Sequence, residues 1–176
     1  ASPSLKEPLI EATKAVQHPD THSSIHTECL AESDGEVSEP KIGNLGGGSD
    51  HVGFYVHVGI PAAAVALDSE VPIYHSSYDN MAWYERFADT EFVYGPAVAC
   101  VNGILALRLA NADILPYDVL RYVDDLRTHV DELETRAREK EVEIDLTDLK
   151  EAVDRLAPAA ESYKRTRDSC IDRGDL

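Results

Sequence analysis

Val71-Pro72-Ile73-Tyr74-His75-Ser76-Ser77-Tyr78-Asp79-Asn80 is the stretch whose reading decides the fold. It packs two tyrosines, a histidine and an aspartate between an apolar, strand-like run and a helical one. Loops held by a rigid scaffold in this way carry binding and catalysis more often than cores do. Taken alone, a histidine beside a tyrosine is weak evidence for a metal, because most such side chains are satisfied by hydrogen bonds in a core or at a surface. His18, His22, His26, His57 and His129 are assigned to that ordinary role. His18, His22 and His26 recur every fourth residue, but Pro19 interrupts the helix that would align them, so they are expected to face solvent.

Working outward, residues 60–67 form a short apolar run of small residues that reads as a buried strand of an α/β sheet. Ahead of it, a helix is expected over 50–58, capped by Ser49 or Asp50 and ended by Gly59. The run Leu45-Gly46-Gly47-Gly48-Ser49-Asp50-His51 leads into that helix. Two readings stay open for it, a flexible turn or a loop lining a substrate, since glycine permits unusual backbone angles and close approach. As a phosphate loop its signal is weak, because the Lys-Ser/Thr pair is absent and GxGxxG is not met. Past the opening stretch, a helix is expected over 80–88 with Asp79 as its N-cap, and a longer one over 90–111. Gly95, Pro96, Asn102, Gly103 and Arg108 interrupt the apolar run at 92–110, so it reads as a buried helix, not a membrane span.

Towards the N-terminus, Leu5, Leu9, Ala12 and Val16 recur at helical spacing until His18 and Pro19 stop the run. Residues 20–44 read as a polar connection with a short helix at 24–31 and breakers at Gly35 and Pro40. Towards the C-terminus, Pro116 is expected to open a helix at its first turn. Leu120, Val123, Leu126, Val130, Leu133 and Ala137 share one face of it, while Asp124, Asp125, Arg127, Glu132 and Arg136 face water. A second amphipathic helix opens with the capping pattern from Asp145 to Asp148 and repeats Leu149, Val153, Leu156, Ala160 and Tyr163. An antiparallel hairpin follows, and neither helix can bury its apolar face alone.

Composition sets the outer bounds. The 176 residues are 43% apolar, enough for a core, and 33 acidic against 16 basic residues give a net charge of -17. Such a surface repels nucleic acid phosphates and anionic membranes, and reads as heavily hydrated. Cys29, Cys100 and Cys170 are odd in number and far apart, which indicates neither a disulfide framework nor a thiolate zinc site. Residues 1–20 lack the basic and apolar regions of a signal peptide, and the chain is expected to lie inside a longer protein.

The segments LGGGSDHVGF (45–54), Gly59-Ile60-Pro61, VPIYHSSYDN (71–80) and VACVNGILALRLANADILP (98–116) together resemble the glutamate carboxypeptidase and transferrin-receptor group of the zinc aminopeptidase superfamily. The match is strong over residues 41–125, and the YHSxYDN core joined to LRLAxxxxLP is its most specific part. The resemblance implies an α/β fold: residues 1–112 as the C-terminal portion of a mixed-sheet zinc peptidase domain, and 113–176 as the start of a helical dimerisation domain. It further implies two zinc ions that polarise a peptide carbonyl and activate water. By this resemblance His75 is a zinc ligand and Tyr74 a catalytic donor to the tetrahedral oxyanion, while Gly47, Gly48 and Ser49 bind the peptide substrate. Asp50 and Phe54 hold the shape of that loop, and Tyr78 packs. Asp79 is expected to be a helix cap, with a place behind the metal as its other role.

Two departures from the family pattern carry weight. Members selective for acidic residues bear arginines on the strand after Gly-Ile-Pro, where this chain has Ala62, Ala63, Ala64, Val65 and Ala66, so glutamate specificity is not carried over. The remaining zinc ligands and the general base are expected upstream of Ala1, and a homodimer is expected through the helical region. The leading expectation is therefore a portion of a zinc exopeptidase that is inactive by itself. The alternative is a receptor-like binding and dimerisation scaffold, for which a retained His75 and Tyr74 would have no chemical use.

Overall fold

Helical periodicity runs through most of the sequence, and the computed structural model, which describes residues 1–31, 33, 37–67 and 71–174, is built from helices. In chain order they are α1 (Lys6–Lys14), α2 (Ile25–Ala31), α3 (Met81–Trp83), α4 (Tyr94–Ala110), α5 (Leu120–Glu139) and α6 (Thr147–Arg173). A 3-10 turn (Pro3–Leu5) precedes α1, and π-helical turns occupy Gly53–Val58 and Tyr84–Ala88. The helix-dominated character expected of the chain is present. The strand expected at 60–67 is not: Ile60 is 49% exposed, Leu67 is 56% exposed, and the segment takes no regular structure. A strand needs a neighbour to close its hydrogen-bond ladder. Among the described residues the only bridge is an isolated antiparallel one between Gln17 and Ser24. The breaker expected at Gly35 lies outside the described residues.

The chain divides into two compact units. The first comprises Ala1–Glu7, Asn44–Ala62 and Ala112–Leu176. Its centre is the hairpin of α5 and α6, whose buried Val123, Val153 and Ala160 are packed by Val119, Leu120 and Ala157. The helices run antiparallel, because their partners count in opposite directions: Glu134 with Lys150, Arg127 with Asp154 at 3.1 Å, Asp118 with Lys164 at 4.0 Å. The helix expected from Pro116 begins at Leu120 instead. The Leu120 N–H donates to Asp118 Oδ1 at 3.0 Å, and an aspartate can hold a first-turn donor where a proline cannot. The second start is as expected, with the Thr147 N–H donating to Asp145 Oδ1 at 2.9 Å.

Three short segments complete the first unit. Ser2 pairs with Ala62 through both main-chain and side-chain bonds, the Ser2 N–H reaching Ala62 O at 2.8 Å. Lys6 Nζ donates to both carboxylate oxygens of Asp125, at 2.7 and 2.9 Å. The helix expected over 50–58 does end at Gly59, whose φ of 77° supplies the left-handed cap, but its body is π-helical. Neither Ser49 nor Asp50 caps it through a side chain; the Val52 N–H donates to the Ser49 carbonyl at 3.1 Å.

The second unit comprises Pro8–Gly43 and Ala63–Asn111. Its buried apolar residues are Leu9, Ile10, Ala12 and Val16, at the helical spacing seen in the sequence, together with Val101 and Leu105 of α4. The long helix starts later than expected, at Tyr94, and is buried only along one stripe: Val101 is 1% exposed but Leu107 is 62%. His18 is half-buried, its ring edge-on to Tyr94 at 6.2 Å, so the expectation that it faces solvent does not hold. The start of α4 is fixed by Asp89. It accepts the N–H groups of Val93, Tyr94 and Gly95 at 2.8, 3.0 and 2.9 Å, and the Tyr84 hydroxyl at 2.9 Å. Gly95 fits because a Cβ there would stand 3.0 Å from the Tyr84 hydroxyl.

Two stability tests follow from these contacts. Replacing Val123 by Ala should lower unfolding stability by about 1–3 kcal/mol, since the hairpin core loses two methyl groups and keeps the void. Urea midpoints of the two chains measure it, with Leu107→Ala on the exposed side of α4 as a control expected to cost much less. Burial would raise the Asp89 carboxyl, but its four hydrogen-bond donors outweigh burial and hold it below the ordinary carboxylate range. Its contribution is therefore complete above the unfolded carboxylate value near ~4 and is lost as pH falls through the lower folded value. Thermal unfolding of Asp89→Asn against pH should show lower stability at neutrality and lack this acid-side loss.

Candidate functional site

Residues 71–80 form successive tight turns rather than a straight loop. Ser76 N–H donates to Ile73 O at 2.9 Å, Asp79 N–H to Ser76 O at 3.1 Å, and Asn80 N–H to Tyr78 O at 2.8 Å. Within this coil His75 takes a φ of 61°, the left-handed region that residues bearing a Cβ enter at a cost. The Tyr74 and His75 rings lie stacked, 3.8 Å between centroids and 22° between planes, and Tyr74 is 78% exposed. Among the described residues no group hydrogen-bonds the imidazole of His75. Both ring nitrogens are thus open to a ligand.

Asp79 is not the helix cap. Asn80 takes that place: its Oδ1 accepts the Trp83 N–H at 3.1 Å, with an extended backbone suited to the role. Asp79 Oδ2 instead accepts the His75 main-chain N–H at 3.4 Å, so it braces the strained residue from behind without touching its ring. The sequence offered Asp79 and Asn80 side by side, and residue type alone could not rank two equally good caps.

Gly47, Gly48 and Ser49 lie in the first unit, Tyr74 and His75 in the second. Only the last two are brought together by local structure. None of Gly46, Gly47 and Gly48 takes a left-handed φ, and a Cβ added at any of them would meet nothing within 4 Å. The conformational argument for these glycines is thereby replaced by a spatial one. They leave an open, side-chain-free surface, while the His51 ring nitrogen Nε2 meets Gly46 O at 2.7 Å and ties down the loop's base.

The sequence missed the concave feature closest along the chain to His75. A groove of about 670 Å³ is lined by Tyr78, Asn80, Trp83, Glu85, Arg86 and Phe87. Trp83 and Phe87 pack tilted at 5.8 Å, with the Arg86 guanidinium 6.0 Å from the Phe87 ring centre. Their aromatic and cationic spacing within the helix expected over 80–88 was the available signal. Among the described residues no three His, Cys, Asp or Glu side chains gather as a metal-binding set. His75 offers one donor where zinc takes about four. The described residues do not by themselves fit a zinc site.

No protein-family model matches the chain. It is 34% identical over 160 residues to a probable glutamate carboxypeptidase, LAMP1, of Arabidopsis thaliana, covering 91% of this chain and 23% of that protein. It is 31% identical over 130 residues to a probable glutamate carboxypeptidase, VP8, of Zea mays, covering 74% and 18%. A mouse protein named aminopeptidase NAALADL1 is 32% identical over 97 residues, covering 51% and 13%. The chain thus spans less than a quarter of the length of these curated relatives. With peptidases on every one of these alignments, and the motif order from LGGGSD to LRLANADILP running through the matched region, the chain belongs to the glutamate carboxypeptidase group of the zinc aminopeptidase superfamily.

Proposed function

We propose that this chain is part of a two-zinc exopeptidase, in which His75 is a metal ligand, Tyr74 a donor to the oxyanion, and Gly47, Gly48 and Ser49 a substrate-lining loop. The observation that carries the reading is the stacked Tyr74–His75 pair, presented on a coil of turns with His75 in a strained backbone conformation. Strain of this kind collects at functional sites, where surrounding contacts hold it in place. The zinc ions would polarise the peptide carbonyl once the rest of the protein completed their ligand set. What the chain itself contributes is orientation. Stacking restricts the imidazole, Asp79 fixes its backbone, and the exposed Tyr74 hydroxyl is free to meet developing negative charge.

The names of the relatives cover both ends of a peptide, carboxypeptidase and aminopeptidase, so exopeptidase is the reading they share. The run Ala62-Ala63-Ala64-Val65-Ala66 places no cation after Gly-Ile-Pro, which argues for a substrate without a recognised acidic side chain. In this proposal residues 1–112 belong to the peptidase domain and 113–176 begin a helical domain that pairs with a second copy. Leu133, Leu149 and Leu156 remain 40–46% exposed after the hairpin has formed, which supports a further apolar partner.

In the full-length protein, His75→Ala should abolish peptide hydrolysis and lower bound zinc in elemental analysis. Tyr74→Phe should keep the zinc and reduce kcat about a hundredfold or more. The isolated chain should show no turnover. Unchanged turnover of His75→Ala with a full zinc complement would end the ligand assignment. Light scattering should find the full-length protein dimeric and Leu133→Glu shifted towards monomer; a monomeric parent would refute the pairing.

A further inference from the structure

The Gly47–Ser49 loop is tied at its base by His51 on Gly46 O and by the Val52 N–H on Ser49 O. A Cβ at Gly46, Gly47 or Gly48 would meet nothing within 4 Å, so beyond those two bonds the loop's position follows from what anchors its flanks. Those anchors come from one face of α5, where Tyr122, Asp125 and His129 stand three and seven residues apart, within one stripe of a helix. His129 Nε2 lies 3.2 Å from Asn44 Nδ2, just before the loop. Tyr122 lines one cavity with Tyr55, beyond the loop, and its hydroxyl is 3.5 Å from Ser4 Oγ. Asp125 holds Lys6, and the neighbouring Ser2 holds Ala62 at the far end of the same segment. Behind the loop, a cavity of about 220 Å³ is lined by Asn44, Leu45, Tyr55, Tyr122, Leu126 and His129, which leaves the flank room to move if an anchor is lost.

We propose that His129 and Tyr122 are positioning residues for substrate binding, acting through Asn44 and Tyr55 to set the Gly47–Ser49 loop. The inference rests on the reading of that loop as substrate-lining. Its chemistry is specific at His129. The Asn44 amide donates, so Nε2 accepts and the ring proton sits on Nδ1, 3.2 Å from Glu132 Oε2, which accepts it. Glu132 therefore fixes the ring in the tautomer that receives Asn44. Burial, followed by the neighbouring Tyr122 and Asp125, raises the Tyr55 phenol above its ordinary value, so this second anchor keeps its proton across the neutral range.

The test uses the full-length peptidase and two fluorogenic dipeptides, one with a free N-terminus and one with a free C-terminus. Asn44→Ala and His129→Ala should each raise KM about three- to tenfold on the hydrolysed dipeptide, as expected for one lost hydrogen bond, with kcat within about twofold and the melting temperature unchanged. The double variant should be no worse than either single one, because both remove the same contact. His129→Gln, which keeps an acceptor, should restore KM. Tyr122→Phe should raise KM in an independent step that adds to His129→Ala. Wild-type KM in both Asn44→Ala and His129→Ala, or a raised KM that His129→Gln leaves uncorrected, would overturn the proposal. Gly48→Val, whose Cβ meets nothing within 4 Å in the fold, separates the two levels. If it leaves KM unchanged, the substrate-loop reading falls and the positioning proposal with it. If it raises KM while His129→Ala does not, the positioning proposal alone falls.

Discussion

The ion pair between Lys6 and Asp125 is the contact on which the first unit depends. It joins the start of α1 to the second turn of α5 across 119 residues of sequence, with both side chains mostly withdrawn from water. Bringing two such distant segments together costs loop entropy, and a lone charge left there would cost several kcal/mol. The pair meets both demands at once, and the bidentate contact leaves neither carboxylate oxygen unsatisfied. Around it sit Ser2, Ser4, Tyr55 and Tyr122, so a small polar core holds together three stretches that have little apolar surface to share.

The parts of the fold legible in the sequence are those decided within a few residues. Leu9, Ala12 and Val16 are buried as their spacing demanded, and the Val123, Val153 and Ala160 cluster lies where two amphipathic stripes face each other. Starts and ends were harder, because competing residues satisfy the same donor. Asp118 displaced Pro116 at the head of α5, and Asn80 displaced Asp79 at the head of α3. The strand at 60–67 failed for another reason. An apolar run specifies burial, but a strand also needs a partner ladder, and periodicity says nothing of whether one is in reach.

The site divides along the same line. His75 and Tyr74 could be singled out from their motif, and the structure adds the stacking and the left-handed backbone that motif reading has no means to supply. The importance of Asn44, Tyr55, Tyr122 and His129 could not be seen, since they lie far apart in the chain and each belongs to an ordinary residue type. By sequence His129 in particular takes an ordinary hydrogen-bonding role, in a core or at a surface. It is exposed, yet it is engaged on both ring nitrogens, which only the folded helix reveals.

The φ of 61° at His75 has a bearing on how this segment would change under selection. Glycine would occupy that backbone angle without penalty, whereas histidine gives up roughly 1 kcal/mol to remain there. A library screened for thermal resilience alone would therefore tend to enrich glycine at position 75, discarding the imidazole as it gained stability. A melting curve would register that gain and not the loss of the ring that stacks on Tyr74.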